Sequence, residues 1–272
     1  MTEFLEIKKS VSVKGGDFVF KISIKGSPDQ PRIRGSALAH AWEVSVPSLA
    51  TKFTLEDVRV QFSDSRVELK ELILKDKNGS IIIQGYADIK GFKIDQIMLE
   101  AAIKDFQAVD SKQYSFQSSG EVSLSGSLTQ PVIQGELMLR KGRVNLRKEY
   151  ETFHPEIKFS GETKQEEKVV VLKEKAKSGF WESATLNVKI DLPNNFWIKG
   201  DNYNLELSGG LVLLKEPQRP MIYTGSISTI RGNYQLYGKN FTFSEGTVDF
   251  PGISSLNPNL NVEAVYRVSK VQ

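Results

Sequence analysis

Cysteine is missing from the 272-residue sequence. Its absence removes disulfides, thiolate metal sites and cysteine nucleophiles together. Histidine is nearly as scarce. His40 and His154 are the two present, with no zinc-ligand spacing and no H-E-x-x-H pair, so each reads as an ordinary sheet residue. A one-sided charge is lacking too. Thirty-six Lys plus Arg face 33 Asp plus Glu, a net charge of +3, without the strong basic excess of a nucleic-acid binder. Long apolar runs do not occur. The purest, residues 81–83 and 169–172, fall far short of the roughly 18 residues of a membrane helix. Acids and lysines interrupt the first ten residues, which excludes a signal peptide there. Any membrane contact is therefore expected only through segments outside this chain. The chain stops part-way through an alternating pattern, so it reads as a segment of a longer protein.

Catalytic motifs are equally absent. There is no G-x-S-x-G nucleophile elbow. Gly232 to Asn240 has five residues between its glycines and ends in Asn where a phosphate-binding loop needs Ser or Thr. It reads as a hairpin. Carboxylates are scattered, and Glu166-Glu167 would diverge on a strand. The expectation is a non-enzyme without cofactor or metal.

What the sequence has in abundance is period-two alternation. Phe18, Phe20, Ile22 and Ile24 are separated by Val19, Lys21 and Ser23, and Ile97, Leu99, Ala101 and Ile103 repeat the spacing. Val122 and Leu124, Leu137 and Leu139, and Val144 and Leu146 repeat the pattern. The longest example is Ala184, Leu186, Val188, Ile190 and Leu192; Leu205, Leu207, Leu211 and Leu213 follow, then Phe241, Phe243, Val248 and Phe250. This spacing puts apolar side chains on one sheet face and polar ones on the other. It favours antiparallel strands with one wet face over an α/β parallel sheet. Glycine-bearing turn signals at residues 15–16, 78–79, 141–142, 208–210, 245–246 and 251–252, with weaker ones between, predict roughly 18–20 short strands. Helical spacing is confined to residues 162–177, whose β-branched centre makes them a strand with a charged lead-in.

An internal repeat organises the chain. Residues 26–35 and 126–135 both read G-S-x-x-Q-P-x-I-x-G, at an offset of 100 residues, and a looser copy spans 210–225. The unit reads as a strand end, a turn fixed by Pro, and a new strand whose Gly admits a neighbouring backbone. Such repetition indicates an elongated, quasi-one-dimensional β-architecture: one continuous segment over residues 1–272, with similarity between about 21–120 and 121–272. The basic cluster Arg140, Lys141, Arg143, Arg147 and Lys148 has no interleaved aromatics, so it reads first as a solvated strand face, with phosphate binding as the alternative.

The last third carries an ordered set of motifs: Phe196-Trp197-Ile198-Lys199-Gly200, Leu205-Glu206-Leu207-Ser208-Gly209, Arg231-Gly232-Asn233-Tyr234, Phe241-Thr242-Phe243-Ser244-Glu245-Gly246 and Asn257-Pro258-Asn259-Leu260. This set resembles the C-terminal region of the TamB family, the translocation and assembly module proteins of the AsmA-like group. The P-x-I-x-G turns at 31–35 and 131–135 resemble the family's recurring turns. The resemblance implies an all-β, elongated β-taco, a long U-shaped sheet with an apolar groove and little or no helix. It implies a periplasmic segment of a protein anchored in the inner membrane of a diderm bacterium. It implies phospholipid transport between the two membranes, and association of the full-length protein with a TamA-type outer-membrane barrel. The alternative is a non-enzymatic scaffold for outer-membrane protein assembly or secretion through that barrel. Alternation by itself fits a sandwich or a β-solenoid equally. If a lipid groove exists, its expected lining is Ile22, Leu99, Leu124, Leu139, Leu186, Val188, Ile190, Leu207, Phe243 and Phe250, since acyl chains gain about 0.8 kcal/mol per buried methylene.

Overall fold

A computed structural model describes residues 12–27, 30–47, 50–90, 93–146, 179–254 and 257–267. They form one long open sheet of fourteen strands. In chain order these are β1 (Ser12–Lys14), β2 (Asp17–Ser27), β3 (Gln30–Val46), β4 (Thr51–Ser63) and β5 (Arg66–Lys75). Then come β6 (Ser80–Lys90), β7 (Lys93–Asp110), β8 (Tyr114–Ser127) and β9 (Gln130–Asn145). After a one-turn helix α1 (Phe180–Ser183) follow β10 (Thr185–Lys199), β11 (Tyr203–Lys215), β12 (Ile222–Leu236), β13 (Lys239–Pro251) and β14 (Asn259–Val265). The fold is an all-β, taco-like sheet, and α1 is the one helix among the described residues.

From β3 onward, spatial order follows chain order, the signature of a meander. Every neighbouring pair is antiparallel except β9 and β10, which run parallel. β1 and β2 both pair with β3 and act as one edge strand interrupted at Gly15-Gly16. The Trp42 indole lies over Gly16 there and donates from Nε1 to the Asp17 carbonyl oxygen at 3.0 Å.

The repeat corresponds to the same hairpin built twice. Gly26 pairs with Pro31 and Ser27 with Gln30 across the β2–β3 turn. Gly126 pairs with Pro131 and Ser127 with Gln130 across the β8–β9 turn. Ile22 faces Gly35 in the first copy and Val122 faces Gly135 in the second. The looser copy has the same logic with a longer turn: Leu211 faces Gly225.

The described strands are longer than the turn signals predict. Asn78-Gly79 does join β5 to β6, and Tyr237-Gly238, both at positive φ, join β12 to β13 as a two-residue hairpin. Gly142, Gly209 and Gly246, however, sit inside β9, β11 and β13. Their role is close approach, not reversal. At Gly142 an added Cβ would run into the Phe196 ring, and at Gly209 (φ +140°) it would meet the backbone of β12. The second reason is bulging. Ala41, Asp105 and Asn195 hold left-handed φ of 57°, 48° and 60° within β3, β7 and β10. At Asp105 and Asn195 one strand carries more residues than its partner, and the irregularity makes one long strand look like two short ones. The segment 162–177 lies outside the described residues.

The sheet curls on its apolar face. β4 and β7 are separated by β5 and β6, yet the Phe53 and Phe106 rings stack at 5.0 Å. Val46, Phe53 and Phe106 form a dry cluster with Val44, Leu74, Ile81 and Ile103 packed around it. Thr51 Oγ1 also donates to the Ala108 carbonyl oxygen. Such contacts need the two flanks of the sheet to face each other.

Candidate functional site

Strand registers settle which side chains share a face. One row runs Phe20, Ala37, Val60, Leu69, Gly85, Leu99, Leu124, Ile133, Leu186 from β2 to β10. A second joins Leu137, Ile190, Leu211, Gly225 and Phe250 from β9 to β13. Ile22, two residues from Phe20, and Leu139, two from Leu137, point the same way. Val188 faces Gly135 and Leu213, and Leu207 faces Phe196. Phe243 follows Phe241, which faces Tyr234 and through it Tyr203. The register irregularity between Phe243 and Glu245 brings it into phase with Phe250. All ten expected residues thus sit on one face, although they are spread over seven strands.

Burial on that face is uneven. It is deepest at the Phe53–Phe106 cluster and along β10, where Leu186, Val188, Leu192 and Phe196 are buried. Leu99, Leu124, Leu139, Ile190, Leu207, Phe243 and Phe250 are half-buried. Ile22, on the β2 edge, is 42% exposed. A compact sandwich would cover such residues with a second layer; this face has none among the described residues.

One aromatic member of the face, Phe106, escapes the period-two pattern of its strand. Phe106 follows the Asp105 bulge and Phe196 follows the Asn195 bulge. Phe196 stacks on Phe116 at 6.0 Å over Gly142, which lies between them in the row. Phe106 is out of phase with Ile97, Leu99, Ala101 and Ile103, because the Asp105 bulge inserts one residue, and an Asp just before an out-of-phase Phe is the signal that marks it; Phe196 keeps the phase of Leu186 to Leu192, because the Asn195 bulge inserts two. One charge also lies on this face. Lys215 is in register with Leu186. Its ammonium is buried under α1 and donates to the carbonyl oxygens of Glu182 (3.0 Å), Ala184 (3.1 Å) and Glu216 (3.2 Å).

The opposite face is polar and laced with ion pairs. Arg34 grips Asp64 and Arg66 grips Asp88, each through two nitrogens. The hydrogen-bonded guanidinium holds both carboxyls below the usual range. His40 Nδ1 lies 2.9 Å from Asp57, which also receives Arg59; the His40 pKa is raised chiefly by that hydrogen bond and the Asp57 pKa lowered by it. Buried Glu206 accepts from the Asn195 backbone N–H at 2.9 Å and from Arg231 Nε at 2.5 Å, clamping the β10 bulge. A concavity of about 870 Å³ on this side carries Glu100, Glu121 and Glu136, but no group of acids or histidines converges to hold a metal among the described residues. His154 lies outside the described residues.

The described residues thus define an all-β protein made of one open sheet, one face apolar and only partly covered, the other a network of surface ion pairs. Residues 70–272 match the family model of the TamB C-terminal domain. The chain belongs to the TamB family, whose members are non-enzymatic transport and assembly proteins of the cell envelope, tied to the translocation and assembly module and its TamA-type partner. None of the curated proteins searched matches the chain.

Proposed function

We propose that this chain is a segment of a bridge-like lipid transport protein. Its apolar face carries phospholipid acyl chains between the inner and outer membranes of a diderm bacterium. It works in the periplasm, with the full-length protein anchored in the inner membrane. The observation that carries this reading is the apolar row that crosses strand after strand without a covering layer among the described residues. Acyl chains laid along it would gain about 0.8 kcal/mol per methylene removed from water. The attraction has no direction, so a lipid can slide from strand to strand without a chemical step. No described helix is long and apolar enough to cross a membrane, which suits a segment that spans the space between membranes.

The test is site-specific cross-linking in cells. A benzophenone amino acid is placed at Leu99, Leu124, Leu139 or Phe243, and separately at the polar-face positions Glu100 and Ser123. Phospholipid adducts from the first set alone are expected. Adducts from neither set, or equally from both, refute the reading.

A second reading has its own observation. β2 pairs only with β3 and β14 only with β13 among the described strands, and both are exposed along their length. Open edges accept a further strand, as a scaffold for outer-membrane protein assembly through a TamA-type barrel requires. Protein adducts from β14 in the absence of lipid adducts from the apolar face would favour it.

A further inference from the structure

The parallel pairing of β10 with β9 places side chains together that the sequence keeps far apart. On the polar face, Arg143 of β9 is directly opposite Ser115 on one side and Trp197 on the other. Lys141 is opposite Gln117. These residues, with Asn78, Gln107 and Asn195, line a cleft of about 260 Å³. The basic cluster therefore does have an aromatic beside it, supplied by a strand more than fifty residues further along the chain.

Three features of this cleft bear on what it can hold. First, its two cations have no carboxylate partner among the described residues. Arg34, Arg59, Arg66, Arg140 and Arg231 each hold a carboxylate, whereas Lys141 and Arg143 have no acid partner among the described residues. Second, its amides are pre-arranged. Asn78 Nδ2 donates to Gln107 Oε1 at 3.0 Å, Gln107 Nε2 donates to Ser115 Oγ at 2.9 Å, and Gln117 Nε2 donates to the Asp105 carbonyl oxygen at 3.0 Å. Asn78 and Gln117 are each held by one neighbour and Gln107 by two, and all three keep further hydrogen-bonding capacity. Third, the Trp197 indole is fixed, its Nε1 donating to Asn195 Oδ1 at 3.3 Å and the Arg231 guanidinium lying 5.4 Å from its ring centre.

We propose that this cleft binds an acidic saccharide, a sugar ring bearing a phosphate or carboxylate group. Lys141 and Arg143 take the anionic substituent through charge-assisted hydrogen bonds. The side-chain amides of Asn78, Gln107 and Gln117 match ring hydroxyls, which both donate and accept. The indole of Trp197 offers an apolar wall to the C–H face of the ring. The site lies on the opposite side of the sheet from the apolar face and is independent of lipid carriage.

The experiment is calorimetric titration of the purified chain with glucose 6-phosphate, glucuronate, glucose and inorganic phosphate. Saturable binding of the two acidic sugars is expected, with glucose and phosphate each about tenfold weaker or more, since each loses one half of the recognition. Lys141→Gln with Arg143→Gln should abolish it, while Lys141→Arg with Arg143→Lys retains it, and both pairs should melt as the wild type does. Trp197→Phe should keep part of the affinity. Four results overturn the proposal: no saturation up to about 10 mM, phosphate binding as tightly as the sugar phosphate, glucose binding as tightly as glucose 6-phosphate, or unchanged affinity in the double Gln variant.

Discussion

Gly209→Ala should destabilise this protein far more than one methyl group ordinarily does. Gly209 lies in the middle of β11 at φ +140°, between Leu192 of β10 and Ile227 of β12. A Cβ there would come within 2.8 Å of Ile227 Cα and closer still to the Ser226 carbonyl oxygen. Two penalties combine. Backbone held in a region open essentially to glycine costs about 1–3 kcal/mol for any other residue. Forcing the neighbouring strand aside costs about 1–3 kcal/mol more. Gly238→Ala supplies the control. It also has positive φ, +73°, but nothing within 4 Å of the added Cβ. Its left-handed penalty of about 1–2 kcal/mol is partly offset by lower entropy in the unfolded chain. The difference between the variants should be about 3 kcal/mol. With a urea m-value of about 2–3 kcal/mol per molar, the Gly209→Ala midpoint should fall about 1–1.5 M below that of Gly238→Ala. Far-UV circular dichroism against urea reads both. Coincident midpoints would show that the strands at Gly209 are not pressed together, and would refute the account of mid-strand glycines as sites of close approach.

Phe106→Ala should lower stability by about 3–5 kcal/mol and, by removing the Phe53–Phe106 stack, increase binding of a hydrophobic dye to the apolar face; no rise in dye fluorescence would argue that the flanks do not meet there. Lys215→Met leaves the Glu182 and Ala184 carbonyl oxygens without their donor, at about 1–3 kcal/mol, and should shift the fluorescence of Trp181 on α1; an unchanged spectrum counts against the docking of that helix by the ammonium. Both ionic forms of the His40–Asp57 pair exist together only between the two titrations. The raised His40 pKa means its contribution is present below the ordinary histidine range and fades as pH rises through the folded value. The lowered Asp57 pKa means its contribution is present above the ordinary carboxylate range and fades as pH falls through the folded value. His40 should accordingly titrate by NMR above a model histidine, and Asp57→Asn should bring it back; a His40 titration unmoved by that substitution removes the pair.

Local chemistry determined a good deal by itself. The spacing at residues 184–192, where branched and unbranched aliphatics alternate with polar residues, demands a strand with one apolar face, because side chains of an extended chain alternate sides whatever lies around them. The repeated G-S-x-x-Q-P-x-I-x-G likewise demanded the same hairpin twice, since Pro and Gly restrict the backbone locally. Absences were as informative: no cysteine, histidine spacing or nucleophile elbow points to any chemistry. Other features depended on what lies next to a residue in space. Gly142 and Gly209 look like turns in sequence, and only the neighbouring ring or strand shows that they are mid-strand contacts. Phe106 joins the apolar face because a left-handed Asp105 shifts the phase by one residue, and Phe196 stays on it because the bulge at Asn195 inserts two; Ser119 and Glu206 on other strands hold these bulges. The parallel pairing of β10 with β9, which brings Trp197 beside Arg143, belongs to the tertiary structure alone. Nothing in the alternation of either strand specifies the direction of its neighbour, because an extended chain offers hydrogen bonds equally to a parallel or an antiparallel partner.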